Sequence, residues 1–319
     1  MAAPFSREEI RGAAAALEGV AVRTPLLEVP ALTRVAGVPV FIKAEHRQPI
    51  GAFKIRGAFT ALARMAPEVR ARGVLTHSSG NHGQALAWAA RRFGVRAVIV
   101  MPEDSPKVKV AGVERHGGEI VFCKRPDRVR IAGEIAARER LEQVPPYEHV
   151  DVILGQATCA WEVLDDLPET ATLVVPVGGG GLLAGTAAAI RASGRAVQLV
   201  AVEPEGASKV GPALRAGHPV AVEHPHSIAD GLLPAAVGAL TFELFRDAVS
   251  RSVTVSDEEI VRAVRLLKDA GERVEPSGAV PSAAVLAGRV PSDGPIVALV
   301  TGGNVDADVY ERLTVALSS

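Results

Sequence analysis

A lysine set among apolar residues and glycines is the first candidate for chemistry in this sequence. Lys54 lies within AFKIRGAFTALA, residues 52–63, at the predicted first turn of a helix, beside Phe53 and between Gly51 and Gly57. Only seven of the 35 basic residues are lysines, so Lys54 is not part of a general basic surface. Because apolar surroundings disfavour the charged form of an amine and lower its pKa, Lys54 is a candidate nucleophile for a carbonyl carbon.

Four consecutive glycines form a second candidate, a turn that could bind phosphate. Gly178, Gly179, Gly180 and Gly181 follow the apolar run LVVPV and precede a helical pattern of small residues, LLAGTAAAI. Such a turn lets several backbone N–H groups and a helix N-terminus converge on an anion. A tight strand-to-helix turn needs fewer glycines, and each extra one costs chain entropy. The turn therefore predicts a bound phosphate group.

The same turn also fits a dinucleotide site. Gly179, Gly181 and Ala184 match the spacing G-x-G-x-x-A, and Glu203 ends the next apolar run 24 residues after Gly179. An acid at that place could bind a ribose hydroxyl. A nicotinamide-dependent oxidoreductase is therefore the competing interpretation, although it would have no specific need for the amine of Lys54.

Two other glycine-rich turns carry polar side chains and contain the only two asparagines of the chain. SSGNHG includes Asn81 and His82, and TGGNVD includes Thr301 and Asn304. Hydroxyl, amide and imidazole groups beside a helix N-terminus suit a carboxylate or a ring oxygen. A phosphate turn, an amine and hydroxyl groups at strand ends together predict a pyridoxal phosphate site.

The elements that must position these groups alternate between short apolar runs and helical patterns. Ser6 and Glu9 predict a capping box at the start of the first helix, and a further helix is predicted over residues 127–139. After AVQLVAVE, a long helical segment is predicted before SDEEIVRAVRLLKDAG. Continuously apolar strands separated by helices indicate parallel sheets covered on both faces. We expect an α/β fold of two open parallel-sheet domains, each a three-layer α/β/α arrangement.

Composition limits the partners. The 319 residues suit two domains, and 48% hydrophobic residues supply ample core. A net charge of −1 gives no field for nucleic acid or an anionic membrane, so the expected partner is a small molecule. Cys123 and Cys159 show neither disulfide nor metal spacing, and neither a signal peptide nor a long apolar run is found. A cytoplasmic protein is therefore expected.

The scarcity of asparagine, glutamine, methionine and cysteine fits a heat-adapted protein. Arginine also far outnumbers lysine, although a GC-rich genome would give much of the same arginine and alanine bias. Thermostability is therefore an expectation from composition alone.

A series of ordered motifs resembles one enzyme family. The motifs are AFKIRGA, SSGNHGQA, GQATCAWEV, GGGGLLAG, AVEPEGA, EPSGA and TGGN. Their order is similar to that of the serine/threonine dehydratase and serine racemase branch of the fold type II (tryptophan synthase β-like) pyridoxal phosphate enzymes, from Val22 onward. The resemblance implies a large domain of residues 1–72 and 149–319, a small domain of residues 73–148, a cofactor in the cleft between them, and a homodimer or higher homo-oligomer.

The resemblance also implies roles for individual residues. Lys54 forms the Schiff base with the cofactor, Asn81 bonds the phenolic oxygen of the ring, and Thr301 faces the pyridine nitrogen. The implied cofactor-binding set is Phe53, Lys54, Asn81, Gly178, Gly179, Gly180, Gly181, Leu182 and Thr301. The implied substrate-binding set is Ser79, His82 and Arg128.

The implied reaction is the β-elimination of water and ammonia from L-threonine or L-serine, with Lys54 and Ser79 as catalytic residues. A hydroxyl opposite the pyridine nitrogen favours elimination over transamination. Ser79 could instead return a proton to the face opposite Lys54, so serine racemase or another β-hydroxy amino acid lyase is the alternative. The chain departs from the family pattern at Ala52 and Thr301, where serine is usual, and at Ala157, where glycine is usual.

One departure concerns a metal. Metal-dependent relatives hold a divalent ion between an acid at position 203, a carbonyl near Ala207 and an acid at position 209. This chain keeps Glu203 but has Lys209. Because an ammonium group would repel a cation, we predict that no metal binds and that Lys209 substitutes for it by pairing with Glu203. The alternative is that Lys209 is a surface lysine.

Overall fold

Two sheets of mainly parallel strands organise the computed structural model, which describes residues 5–78 and 80–315. The strands are β1 (Leu26–Glu28), β2 (Val40–Ala44), β3 (Val74–His77), β4 (Ala97–Pro102), β5 (Glu119–Cys123), β6 (Glu142–Gln143), β7 (Thr172–Pro176), β8 (Gln198–Pro204), β9 (Val249–Val255) and β10 (Ile296–Val300). One sheet has the order β1, β2, β10, β7, β8, β9, and the other has the order β5, β4, β3, β6. Strand β1 runs antiparallel to β2, and every other pairing is parallel.

Helices connect the strands and cover the sheets. They are α1 (Arg7–Ala16), α2 (Pro30–Ala36), α3 (Lys54–Arg64), α4 (Pro67–Arg70), α5 (Asn81–Phe93), α6 (Lys107–Arg115), α7 (Arg128–Glu139), α8 (Val150–Asp166), α9 (Gly181–Ser193), α10 (Val210–Ala216), α11 (Ala239–Phe245), α12 (Asp257–Asp269), α13 (Pro276–Leu286) and α14 (Ala307–Thr314). Short 3-10 helices cover Glu45–Arg47, Arg125–Asp127, Glu205–Ala207 and Asp230–Leu232.

The sheets are covered on both faces, as the apolar strand runs predicted. Every residue of β4, β7 and β10 is buried. One apolar core packs α8 and α9 on one face of the larger sheet, and a second packs α12 and α13 on the other. The smaller sheet has α5 on one face and α7 on the other. The predicted α/β fold with two parallel sheets is therefore confirmed.

Helix starts were predicted better than the long connections. Ser6 caps α1, and both hydrogen bonds of the capping box with Glu9 are present. The long helical segment predicted after β8 is wrong, because that stretch contains only the short helices α10 and α11, two 3-10 helices and strand β9. Helix α10 ends at Ala216, where Gly217 caps it with a positive φ of 76°, and the prolines that follow stop any further helix.

The strands of the smaller sheet all fall between residues 73 and 148, while the domain bounds given above stay a prediction. Residues after the carboxyl ends of β3, β7 and β10 meet in one cleft, the usual place for a ligand in an open parallel sheet. Over the described ranges, no helix has both the length and the apolar character needed to cross a membrane.

Candidate active site

One cleft of about 880 Å³ contains most of the residues singled out in the sequence. The predicted residues that line it are Phe53, Lys54, Asn81, His82, Arg128, Gly178, Gly179, Gly180, Gly181, Leu182 and Thr301. Ser79, the predicted second catalytic residue, lies outside the described residues. The fold thus gathers groups that are up to 248 residues apart in the sequence, from Phe53 to Thr301.

Lys54 is the first residue of α3 and faces the cleft. Its Nζ donates a hydrogen bond to the carbonyl oxygen of Pro146 at 2.8 Å and lies 5.1 Å from the centre of the Phe53 ring. Burial lowers the pKa of the Lys54 amine to about 8. The backbone N–H of Phe53 donates to the carbonyl of Thr301 at 3.1 Å, which fixes the start of the helix. About a tenth of the amine is therefore neutral and nucleophilic at pH 7, far more than in an exposed lysine.

A buried ion network anchors α3 on its other side. The guanidinium of Arg56 bonds the carboxylate of Glu45 at 2.8 Å and that of Glu162 at 2.7 Å. Lys43 adds a second cation, with its Nζ 2.7 Å from Glu162. The two acids raise the pKa of Arg56, although burial acts against them. Two positive and two negative charges therefore compensate each other in the protein interior beside α3.

The four-glycine turn has the geometry that an anion requires. Gly180 adopts a positive φ of 96°, and a Cβ at Gly179 would collide with the ring of Tyr147. The carbonyl of Gly179 accepts hydrogen bonds from the Gly238 N–H at 3.1 Å and the Thr241 hydroxyl at 2.8 Å. No side chain of the described residues caps α9, so the N–H groups of its first turn are left for a ligand. These residues fit a phosphate group.

Helix α5 offers a second uncapped N-terminus to the cleft. Its N-cap is Gly80, and no side chain in the part of the chain described here caps it. His82 is buried, and its Nε2 donates to the carbonyl of Val144 at 2.9 Å. Burial and the charge of Lys54 lower the pKa of His82 to about 3, so the ring stays neutral. The predicted role of His82 in substrate binding stays a prediction, and its observed contact fixes the start of α5.

Arg128 brings a charge into the cleft that no described carboxylate neutralises. It is half-buried, and within residues 5–78 and 80–315 no acidic group lies at salt-bridge distance from it. Burial and the neighbouring Arg125 lower its pKa. Arg125, in contrast, pairs with Asp104 at 2.9 Å. A half-buried guanidinium without a partner is suited to an anionic ligand.

Sequence reasoning missed a charged cluster on the cleft wall. Lys109 is buried, and its Nζ lies 2.6 Å from Asp230 and 3.1 Å from Glu275. Burial alone would lower the pKa of Lys109, but these two acids outweigh it and raise the pKa. Tyr147, which covers the glycine turn, was also missed. The scarcity of lysine was the one sequence signal that could have drawn attention to Lys109.

Glu203 and Lys209 lie together but outside the cleft lining. Both are fully buried, and the Nζ of Lys209 lies 3.0 Å from the Glu203 carboxylate and 2.6 Å from the carbonyl of Ala207. The surface alternative for Lys209 is therefore wrong. The ammonium group lies between the groups that would hold a cation, so these residues do not fit a metal ion. In the described ranges, no group of three or more His, Cys, Asp or Glu side chains is arranged to hold a metal ion.

The nucleotide interpretation also fails at Glu203. Its carboxylate accepts hydrogen bonds from the Nζ and backbone N–H of Lys209 and from the N–H of Val210. A carboxylate that is fully buried and engaged in this way cannot reach a ribose hydroxyl. The glycine turn therefore has no acidic partner of the kind that a dinucleotide site needs.

The chain is similar to known proteins over nearly its whole length. Residues 17–302 match the family described as pyridoxal-phosphate dependent enzyme. The chain is 40% identical to L-threo-3-hydroxyaspartate ammonia-lyase of a Pseudomonas species, covering 97% of this chain and 98% of that protein. It is 37% identical to L-threonine ammonia-lyase of Thermotoga maritima, covering 96% and 77%.

A solved structure agrees with these relatives. Maize serine racemase superposes with a TM-score of 0.92 at 34% identity, covering 97% of this chain and 96% of that one. The cofactor predicted from the lysine and the glycine turn is confirmed, and the nicotinamide alternative is wrong. This chain belongs to the pyridoxal-phosphate dependent enzymes of fold type II.

Proposed function

We propose that the protein is an ammonia-lyase that acts on β-hydroxy amino acids and that its preferred substrate carries a second carboxylate, as L-threo-3-hydroxyaspartate does. The observation that carries this choice is the guanidinium of Arg128, which lines the cleft without a carboxylate partner among the described residues. The name of the Pseudomonas relative supports the same substrate. L-Threonine and L-serine, expected from the sequence, are the second candidate, and the Thermotoga relative supports threonine.

The two uncapped helix ends divide the anionic groups between them. The glycine turn from Gly178 to Gly181 holds the cofactor phosphate at the N-terminus of α9. The N-terminus of α5, at Asn81, holds the α-carboxylate of the substrate. Arg128 then remains for a carboxylate on Cβ, where a bidentate contact is favourable.

Lys54 moves the proton. Bound pyridoxal phosphate withdraws electrons from the Cα–H bond of an amino acid, which makes that proton removable. Because the pKa of Lys54 is about 8, its Nζ is neutral often enough to accept the Cα proton and to give it up again. Loss of the Cβ hydroxyl as water turns the amino acid into an enamine. Hydrolysis of the released enamine gives one ammonia and one 2-oxo acid. The Thr301 hydroxyl, directly after β10, would face the pyridine nitrogen of the bound cofactor.

A substrate comparison tests the proposal. Holoenzyme is given L-threo-3-hydroxyaspartate, L-threonine or L-serine, and oxaloacetate, 2-oxobutanoate or pyruvate is measured together with ammonia. We expect the highest kcat/KM for 3-hydroxyaspartate. If none of the three substrates releases a 2-oxo acid, the proposed function is wrong.

Arg128→Met tests the substrate choice separately. Loss of a charge-assisted contact predicts a roughly 100-fold lower kcat/KM for 3-hydroxyaspartate and a much smaller change for threonine. Arg130→Met is the matched control, because Arg130 lies on the exposed face of the same helix. An equal loss with both substrates would contradict the role of Arg128. Racemisation stays a prediction, because it depends on Ser79.

A further inference from the structure

The only two asparagines of the chain contact each other. The Nδ2 of Asn304 lies 2.8 Å from the Oδ1 of Asn81. Asn81 lines the cleft and is the first residue of α5, which packs on one face of the smaller sheet. Asn304 is the last residue of the TGGN turn, which follows β10 of the larger sheet. The hydrogen bond therefore joins the two sheets at the cofactor cleft.

The partners of both amides determine which way each one points. The second N–H of Asn304 donates to the carbonyl of Ile50 at 2.9 Å, and a backbone carbonyl can only accept. The Nδ2 of Asn81 lies 2.6 Å from the Oε1 of Glu275. With its oxygen bound by Asn304 and one N–H bound by Glu275, Asn81 keeps one N–H that has no partner among residues 5–78 and 80–315 and is available to a ligand. Gln84 makes only a longer contact of 3.4 Å to Asn304.

Glu275 is itself held in place. Its second oxygen lies 3.1 Å from the Nζ of Lys109, which also pairs with Asp230 at 2.6 Å. The carboxylate packs on Gly302, where a Cβ would collide with it. The same turn bonds the segment before Lys54, because the Gly303 N–H donates to the carbonyl of Gly51 at 2.9 Å. The TGGN turn therefore contacts both the groups that hold Asn81 and the segment that leads to Lys54.

We propose that Asn304 and Glu275 are positioning residues that make Asn81 present an N–H donor, and no acceptor, to the phenolic oxygen of the bound cofactor. An N–H donor stabilises the anionic form of that oxygen, whereas a turned amide would place its own oxygen against the negative charge. The pair thereby sets the proton affinity and the binding strength of the cofactor. This inference rests on the proposed site at Lys54.

Asn304→Asp is the informative variant, because it keeps the shape and removes both N–H donors. The new carboxylate faces the Ile50 carbonyl and the Asn81 oxygen, so the Asn81 amide must turn or lose the contact. We expect the midpoint of the pH titration of the visible cofactor band to rise by about one pH unit. The dissociation constant of the cofactor should rise roughly tenfold. Glu275→Gln carries the same expectation if Asn304→Asp does not fold, because a glutamine amide can present either an oxygen or an N–H and no longer gives Asn81 a fixed acceptor.

Two further variants test whether the shift comes from a general disturbance of the structure. Gln198→Glu makes the same amide-to-acid change at an exposed position of β8 and should titrate as the wild type does. In an Asn81→Ala background, Asn304→Asp should add no further shift, because the group that it positions is gone. Additive shifts, or an Asn304→Asp titration identical to that of the wild type, would overturn the inference. If the wild type lacks the visible band, the proposal that the cofactor binds at Lys54 is itself wrong.

Discussion

The Nζ of Lys54 lies 2.8 Å from the carbonyl oxygen of Pro146, in a setting where burial lowers its pKa to about 8. The pKa is lower than that of a free lysine, so the neutral amine, which attacks an aldehyde, forms at a lower pH. We expect the rate at which apo protein takes up pyridoxal phosphate to rise with pH and to level off above about pH 8. Stopped-flow absorbance would measure it. A rate that still rises near about pH 10 is the behaviour of an exposed lysine and would contradict this setting.

Arg56 should be essential for stability although it does not touch the cleft. Arg56→Met leaves the carboxylates of Glu45 and Glu162 buried without their main partner, which should cost about 3–5 kcal/mol in the free energy of unfolding. Urea unfolding of the holoprotein measures the change. Arg130→Met is again the control, because its ion pairs are exposed and it should unfold like the wild type. Equal unfolding midpoints for all three proteins would show that the network is dispensable.

The glycine turn should not accept a side chain at Gly179. A Cβ there collides with the ring of Tyr147, so Gly179→Ala should displace that ring and weaken cofactor binding at least tenfold, about 1.4 kcal/mol. Gly133→Ala on α7 is the matched control, since a Cβ there meets no atom within 4 Å. The control should bind the cofactor normally and gain up to about 1 kcal/mol of stability. Equilibrium dialysis gives both affinities, and equal values would argue against the phosphate site.

We propose that Lys209 takes the place of a divalent cation beside Glu203. EDTA should therefore change neither the melting temperature nor the activity of the wild type. Lys209→Asp puts two acids in one buried site, so its melting temperature should fall and should recover partly with Mg²⁺. Differential scanning calorimetry with and without Mg²⁺ measures this. If EDTA inactivates the wild type and Mg²⁺ restores it, the substitution is refuted.

Local sequence patterns predicted those features of the fold and the site that are formed by residues close together in the chain. The four-glycine turn, the helix start at Lys54 and the cap at Ser6 depend on residues close in the chain, so their types and spacing were sufficient. The cluster of Lys109, Asp230 and Glu275 joins residues that are 45 to 166 positions apart. Only packing brings such residues together, and none of them stands in a pattern that predicts the others.

The predicted long helix after β8 failed for a related reason. Apolar residues near the helical spacing continue through this stretch, but Gly217 and the following prolines stop the backbone from extending the helix. Strand β9 then joins the larger sheet by pairing with β8, a contact that no local pattern specifies. This stretch also contributes to the site, because residues 223–227 and 230–235 line the cleft together with the ends of β3, β7 and β10.

Reduction of the holoprotein with borohydride, followed by peptide mass spectrometry, tests the central claim most directly. The account predicts one pyridoxyl group on the peptide that contains Lys54 and none in Lys54→Ala. An adduct on Lys109, Lys43 or any other side chain of the wild type, or no adduct at all, would contradict it.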